Sequence, residues 1–349
     1  MTEPTASRLP PLFVVFNRAS GHGDRDEVAP AVEAACRAAG RECHLLPVDG
    51  PGRLAETARE AVRLAREVDG VVVAAGGDGT INCVAQQVLG SGCTFGVLPR
   101  GTFNYFARTH GIPSDIDGAL RVLLDEAPTP VQVGLLNERV FLVNASLGLY
   151  SQSLEDREVW KQKFGRSRLI AAGAVLATIL RGHRSLGLTI ELHGQPRSVR
   201  TPTVFVGNNA LQMEQVGLPE AQAIDRGELA GVMLKPVGRW GLLKLLARGA
   251  MGRLGEADQI VNFPFNRLTV RSRRFGARRV KVATDGEVLW MRLPVRFEVA
   301  PHPLMLIRPE GLAEERRQAQ ASSAMDGSAT TAPAPDPEAT SATRMEPTR

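Results

Sequence analysis

The chain has 349 residues, 43% of them hydrophobic and 23% charged, with a formal net charge of +5. At about 100–200 residues per domain this length predicts two domains, and the composition excludes a collagen, a coiled coil and a wholly disordered chain. The longest strongly apolar run, Leu169–Leu180, falls well short of the about 20 residues that a membrane-spanning helix needs, so no such helix is expected.

Met1–Pro11 lacks the apolar core of a signal peptide, which predicts a cytoplasmic protein. Leu12–Phe16 reads as a buried strand, and Asp26–Ala39 as a helix that tolerates Pro30 only near its first turns. Cys43–Val48 is a strand, Leu54–Glu67 a helix and Val71–Ala75 a second buried strand. After a glycine cluster come the helix Ile81–Leu89 and the strand Phe95–Leu98. Repeated strand–helix–strand units predict an α/β fold with a doubly wound parallel sheet, its ligand site at the carboxyl ends of the strands. The character changes near Pro128–Val131. Val131–Leu136, Val140–Asn144, Leu188–Leu192, Val199–Gly207, Val232–Pro236, Leu268–Arg271, Val280–Ala283 and Val295–Val299 read as short strands between turns. One helical insert falls near Ser167–Arg181 and a leucine-rich helix at Trp240–Leu254. The second part is therefore expected to be a mostly antiparallel β-sandwich. Residues 10–129 form the expected α/β domain, 130–312 the β-rich domain and 313–349 a disordered tail. That tail has no Leu, Ile, Val, Phe, Trp or Tyr with which to offset its ordering entropy.

The four cysteines show no Cys-x-x-Cys spacing and the six histidines are scattered, so reduced thiols and no protein-built metal site are expected. Gly76-Gly77-Asp78-Gly79-Thr80 follows a buried strand and precedes a helix. Glycines let the backbone turn tightly and present amides to an anion, and the helix N-terminus adds positive potential. Asp78 would repel a phosphate unless it binds a cation or a proton. A second turn, Arg100-Gly101-Thr102-Phe103-Asn104, follows the next strand, so both loops should face one crevice. Arg100, Thr102 and Asn104 suit phosphate or nucleotide contacts, whereas Phe103 and Phe106 read as core. Neither Gly-x-x-x-x-Gly-Lys-Ser/Thr nor Gly-x-Gly-x-x-Gly occurs, which excludes a P-loop and leaves a dinucleotide dehydrogenase unsupported.

With these motifs the chain resembles the bacterial diacylglycerol kinase-like family, which includes sphingosine kinases and related lipid kinases. The family's Asn-Pro-x-Ser-Gly appears as Asn17-Arg18-Ala19-Ser20-Gly21. Its Gly-Gly-Asp-Gly-Thr-Ile-Asn spans Gly76, Gly77, Asp78, Gly79, Thr80, Ile81 and Asn82, followed by Cys83 where Glu is usual. Its Gly-Thr-x-Asn-Asp-Phe-Ala is residues 101–107, with Tyr105 for Asp, and its late Asp-Gly-Glu is Asp285-Gly286-Glu287. The resemblance implies ATP with magnesium, and Asn17, Ser20, residues 76–82, Arg100, Gly101, Thr102 and Asn104 at the nucleotide. It implies Glu287 as the base that takes a lipid hydroxyl proton, with Asp78 the alternative base and Asp285 beside them. Arg226 stands where the family often has a metal-binding Asp, so its guanidinium is expected to replace a structural magnesium. The implied activity is an ATP-dependent lipid kinase acting on diacylglycerol or a similar lipid alcohol. The alternatives are an NAD kinase-like enzyme and a catalytically inactive nucleotide- or lipid-binding regulator.

Arg267–Lys281 holds seven basic residues and Lys235–Arg253 five, neither with an acid. They are expected to dock the protein peripherally on an anionic membrane surface. Aromatic residues are only 5% of the chain, too few for a base-stacking nucleic-acid surface, so no nucleic-acid partner is expected. The oligomeric state stays open, a homodimer included.

Overall fold

Strands that are apolar at every position bury both faces, which is the pattern of a parallel sheet flanked by helices. The first part of the chain is built that way: β1 (Leu12–Phe16), α1 (Val28–Ala38), β2 (Cys43–Pro47), α2 (Leu54–Glu67), β3 (Val71–Gly76), α3 (Asp78–Val88), β4 (Thr94–Pro99), α4 (Tyr105–Thr109), α5 (Ile116–Asp125) and β5 (Pro128–Val131). All residues of β1 and β3 are buried. These coordinates come from a computed structural model that describes residues 9–17, 28–48, 50, 52–148, 185–192, 194–215, 217–218, 221–253, 255, 257–273 and 279–311. Ser20, the helical insert near Ser167–Arg181 and the tail 313–349 lie outside the described residues.

The chain continues through β6 (Gly134–Leu136), β7 (Arg139–Phe141), β8 (Asn144–Gly148), β9 (Leu186–Leu192), β10 (Gln195–Thr201), β11 (Thr203–Gly207), α6 (Ala210–Gln215), α7 (Ala221–Asp225), β12 (Leu229–Leu234) and α8 (Arg239–Ala250). It ends with β13 (Ile260–Phe265), β14 (Arg267–Ser272), β15 (Arg279–Thr284), β16 (Glu287–Arg292), β17 (Val295–Val299) and β18 (Leu304–Ile307). The first sheet runs β2-β1-β3-β4-β18-β5 and is parallel except for β5. The chain steps from β1 outward to β2 and then returns to the other side of β1, so the order reverses between β1 and β3. At such a switch point the flanking connections diverge and leave a crevice above the carboxyl ends. Two further six-stranded sheets, β10-β9-β14-β17-β6-β7 and β13-β12-β11-β8-β15-β16, are antiparallel throughout. Leu136, Phe141 and Phe297 of one meet Leu147, Val204 and Phe265 of the other in one core, which makes them a sandwich.

The element boundaries differ from the sequence expectation in instructive ways. The run Val131–Leu136 is divided: Val131 ends β5 in the first sheet, and β6 opens the sandwich. The run Val199–Gly207 is divided at Pro202, where the chain passes from one sandwich sheet to the other. Helix α3 starts at Asp78, so half of the glycine cluster is its first turn. The last strand, β18, leaves the sandwich and inserts beside β4, where Leu304, Leu306 and Ile307 are buried. Among the described residues, no helix is long and apolar enough to cross a membrane.

Candidate active site

The two glycine loops touch backbone to backbone. A Cβ added at Gly77 would lie 3.3 Å from Gly101 Cα, and one added at Gly101 would lie 3.0 Å from Gly77 Cα and 2.7 Å from Asn104 Oδ1. The Arg100 N–H donates to Gly76 O at 2.8 Å, which fixes the crossing. Asn104 adopts the left-handed conformation with φ 48°, a region open to Asn because its short amide can bond locally. There its buried Oδ1 accepts the Gly101 N–H at 2.8 Å. From the end of β1, Asn17 Nδ2 donates to Thr80 Oγ1 at 3.3 Å. The carboxyl ends of β1, β3 and β4 thus supply one cluster at the switch point. A cavity of about 360 Å³ opens beside it, with Leu98, Ile116 and Ala119 as apolar wall and Arg100, Thr102 and Asn104 as polar rim.

Gly79 differs from its neighbours, because a Cβ there would meet nothing within 4 Å. A ligand could approach its backbone closely. Gly101→Ala is expected to destabilise the protein by about 1–3 kcal/mol, as overpacking does. Gly79→Ala should leave stability intact but weaken nucleotide binding about tenfold, the equivalent of about 1.4 kcal/mol. Thermal melting with and without nucleotide separates the two. A Gly101→Ala variant as stable as the parent would show that the loops are not close-packed.

Asp78 sits in the first turn of α3 with its carboxylate against the backbone N–H groups of Asn104, Tyr105 and Phe106. Burial raises its pKa above the ordinary carboxylate value, and those donors offset part of the rise. Its Oδ1 is buried with no hydrogen-bond partner. An orphaned anionic oxygen at a phosphate-type loop fits a divalent cation that arrives with a nucleotide.

Further along α3, Asn82 and Gln86 follow Asp78 at i+4 and i+8, so the three share a helix face. This face joins the α/β part to the sandwich. Asn82 Nδ2 donates to Asp285 Oδ2 at 2.6 Å and to Val140 O at 3.2 Å. Gln86 Oε1 accepts the Val140 N–H at 2.8 Å. Asn82 therefore faces the sandwich rather than the glycine loops, and Ile81 is wholly buried in the first core. Both were expected at the nucleotide, and the structure gives them supporting positions instead.

Asp285 and Gly286 have φ 46° and 91° and form the two-residue turn between β15 and β16, a turn whose positive φ angles favour Asp-Gly. The Asp285 carboxylate points inward. It accepts the N–H groups of Leu142 at 2.7 Å, Val143 at 2.9 Å and Asn144 at 2.9 Å besides the Asn82 amide. Burial pushes its pKa up, against those four donors. Expected among the catalytic residues, Asp285 instead is a clamp with its acceptor sites consumed. Two residues on, Glu287 opens β16 with its side chain 65% exposed, paired to Arg139 Nη2. Cys83 lies near both charges, and burial raises its thiol pKa.

Sequence reasoning missed a row of amides that closes the cluster on the sandwich side. Asn209 Nδ2 donates to Tyr105 O at 3.2 Å, and its Oδ1 accepts the Gln212 N–H at 2.9 Å at the start of α6. Asn144 Nδ2 donates to Gln212 Oε1 at 2.9 Å, and its own Oδ1 is buried and unpartnered. Asn208 Nδ2 donates to Leu142 O at 3.1 Å. The available signal was Asn208-Asn209 directly after a strand that ends in glycine. Phe103, expected in the core, is exposed and stacks on Tyr105 with ring centroids 5.7 Å apart.

Arg226 also departs from expectation. Its side chain is 58% exposed and pairs only loosely with Glu228 at 3.4 Å, so it does not stand in for a buried metal. The segment is held by Gln132, whose Nε2 donates to Glu228 O at 3.0 Å and to Asn208 Oδ1 at 2.7 Å. Among the described residues, no group of three or more His, Cys, Asp or Glu gathers as a metal site. Exposed pairs contribute about 0–1 kcal/mol, so Arg226→Ala should melt within a few degrees of the parent. A loss of about 3–5 kcal/mol would instead restore a buried ionic role.

Comparison with known proteins agrees with this layout. Residues 11–136 match the diacylglycerol kinase catalytic domain, and residues 156–308 the YegS C-terminal NAD kinase beta sandwich-like domain. Over 141 residues the chain is 33% identical to a diacylglycerol kinase of Staphylococcus haemolyticus, which covers 40% of this chain and 42% of that protein. It is 31% identical over 146 residues to an uncharacterized Synechocystis protein, covering 41% and 33%. The chain thus aligns with less than half the length of these curated relatives. A crystal structure of a diacylglycerol kinase from Bacillus anthracis superposes with a TM-score of 0.63 at 22% identity, covering 87% of this chain and 98% of that one, and establishes the shared fold.

Proposed function

Because this chain joins a diacylglycerol kinase catalytic domain to a YegS-type β-sandwich, we propose that it transfers the γ-phosphoryl group of ATP to the hydroxyl of diacylglycerol or a related membrane lipid alcohol. The observation that carries this reading is the contact of Gly77 with Gly101 beside the buried, half-partnered carboxylate of Asp78. Bare backbone on two adjoining loops suits a polyphosphate, and the start of α3 adds its dipole. Arg100 and Thr102 border the neighbouring cavity, whose apolar wall suits a nucleobase. Magnesium brought in with ATP would supply positive charge to offset the negative charge developing in the transition state, and Asp78, with its unpartnered Oδ1, is the residue that would hold it.

The acceptor hydroxyl needs a base. Glu287 is the carboxylate with solvent access, and the Asp285 clamp fixes the turn that presents it. Arg139 holds that carboxylate in one orientation while leaving its second oxygen open to a substrate proton. Phosphoryl transfer asks little covalent chemistry of the protein, so loop positioning and this one proton transfer constitute its contribution.

The description of the sandwich as NAD kinase-like favours one second reading, phosphorylation of NAD. Incubation of the full chain with labelled ATP, a panel of detergent-dispersed lipid alcohols, and NAD decides between them. Label in a lipid phosphate is expected. Label in NAD alone overturns the lipid reading, and ATP binding without turnover of any acceptor leaves a nucleotide-binding regulator.

A further inference from the structure

Asn209 is a buried side chain with a task that helix capping does not account for. It directly precedes α6, and its Oδ1 accepts the N–H of Gln212, the third residue of that helix, at 2.9 Å, which makes it the N-cap. Serine, threonine or aspartate would cap as well. Asparagine differs from them in carrying a donor at its other end. That end reaches Tyr105 O at 3.2 Å, across a separation of 104 positions in the chain. Burying an amide that is only 1% exposed is costly unless both of its ends are bonded, and here both are.

Tyr105 O belongs to the first turn of α4. A helix of five residues is too short to hold itself. Phe106 and Ala107 anchor its inner side in the first core. The first N–H groups of any helix lack partners within it. Those of Asn104, Tyr105 and Phe106 meet the Asp78 carboxylate instead. A shift of this turn therefore moves the donors that orient Asp78.

The Asn209–Tyr105 bond is also one link of a closed circuit. Beyond Asn209, Gln212 Oε1 accepts Asn144 Nδ2 at 2.9 Å. The Asn144 N–H donates to Asp285 Oδ1 and the Asn144 O accepts the Asp285 N–H, both at 2.9 Å. Asp285 Oδ2 accepts Asn82 Nδ2 at 2.6 Å, and Asn82 stands one turn after Asp78 in α3. Two routes, one through α3 and one through α6 and α4, thus join the Asp285 turn to the Asp78 carboxylate. Such bracing matters for phosphoryl transfer, where a displacement of about 1 Å can cost about 100-fold in rate.

We infer that Asn209 is a positioning residue for phosphoryl transfer: by holding Tyr105 O it fixes the first turn of α4 and, through the N–H groups of that turn, the carboxylate of Asp78. The sandwich in this way sets the aim of a residue in the α/β part. The inference rests on the kinase reading for its purpose, although the hold on α4 is measurable without catalysis.

The test begins with Asn209→Ser, which keeps a capping oxygen and removes the donor. Its melting temperature should fall by only about 2–4 °C. Amide hydrogen exchange of the ligand-free chain should quicken about tenfold at residues 104–106 and stay parent-like in α6. Binding of magnesium with a non-hydrolysable ATP analogue should weaken about tenfold, and kcat for lipid phosphorylation should fall by a factor of about 10–100. In an Asp78→Asn background the same change should add less than about twofold, because the two residues act as one unit. Asn209→Thr, with the same capping oxygen and more bulk, repeats the series if serine leaves the chain unstable. Parent-like exchange at 104–106 overturns the inference, and so do losses that multiply in the double variant. Exchange quickened equally throughout the chain also overturns it, since Asn209 would then serve stability alone. If the parent binds no magnesium-ATP analogue, the kinase reading falls, and the exchange at 104–106 decides the hold on α4 by itself. Normal binding and turnover in Asn209→Ser remove the inference alone.

Discussion

Asp285→Ala should lower the folding stability by about 3–5 kcal/mol, among the largest effects a single side chain here can have. Alanine leaves the N–H groups of Leu142, Val143 and Asn144 and the Asn82 amide without their acceptor. Each unsatisfied buried donor costs about 1–3 kcal/mol before relaxation. Alanine is also uncomfortable at φ 46°, which adds on the order of 1 kcal/mol. The melting temperature should fall by about 4–7 °C for a chain of this size. Asp285→Asn keeps the left-handed preference and one acceptor oxygen but turns an amide toward backbone donors, so its loss should be intermediate. A double-mutant cycle with Asn82→Ala should show non-additivity of about 0.5–3 kcal/mol, because the two share a hydrogen bond. Asp285→Ala melting with the parent would mean that the carboxylate does not hold the two halves together.

That clamp marks the limit of what the sequence conveys. The parallel sheet is legible because β1 and β3 are apolar at every position, a statement about burial on both faces that no antiparallel strand of this length needs to make. The glycine loops are legible because bare backbone after a buried strand has few other uses. The motif around Asp285 shows equally well in the sequence, but its chemistry does not. Whether a carboxylate attacks, accepts a proton or ties down amides depends on what surrounds it, and here the donors come from residues 82 and 142–144, far away in the chain. Asn144, Asn208, Asn209 and Gln212 escape notice for the same reason: each is unremarkable locally and acquires meaning only where three segments meet.

Short elements are opaque for another physical cause. Leu304–Ile307 is four apolar residues, enough to form a strand in any sheet. Nothing local specifies that β18 leaves the sandwich and pairs with β4 and β5. Pro128 and Pro130 in β5 give a partial clue, since a strand that cannot donate at those positions suits a sheet edge. Arg226 illustrates the opposite error. Its place in a motif suggests a buried charge, yet a guanidinium on a turn after a five-residue helix reaches solvent easily, and Gln132 takes over the work of holding the segment.

Glu287→Gln should lower kcat for lipid phosphorylation by about 10²–10⁴-fold, the contribution of a positioned base. Glutamine preserves the size of the side chain and can still accept from Arg139, so the turn and the fold should be unaffected. The parent pair is exposed and contributes about 0–1 kcal/mol, so stability should scarcely move. ATP affinity should also hold, because a base acts mainly in the transition state. Asp78→Asn should behave differently. Its carboxylate is buried at the start of α3 with one orphaned oxygen. Loss of that charge should raise the KM for magnesium-ATP and lower kcat together. The raised pKa of Asp78 also makes it chemically able to serve as a base, which is why the two variants must be compared. If Glu287→Gln keeps near-normal kcat while Asp78→Asn loses turnover at unchanged ATP affinity, the base is Asp78, and Glu287 is only the exposed partner of Arg139.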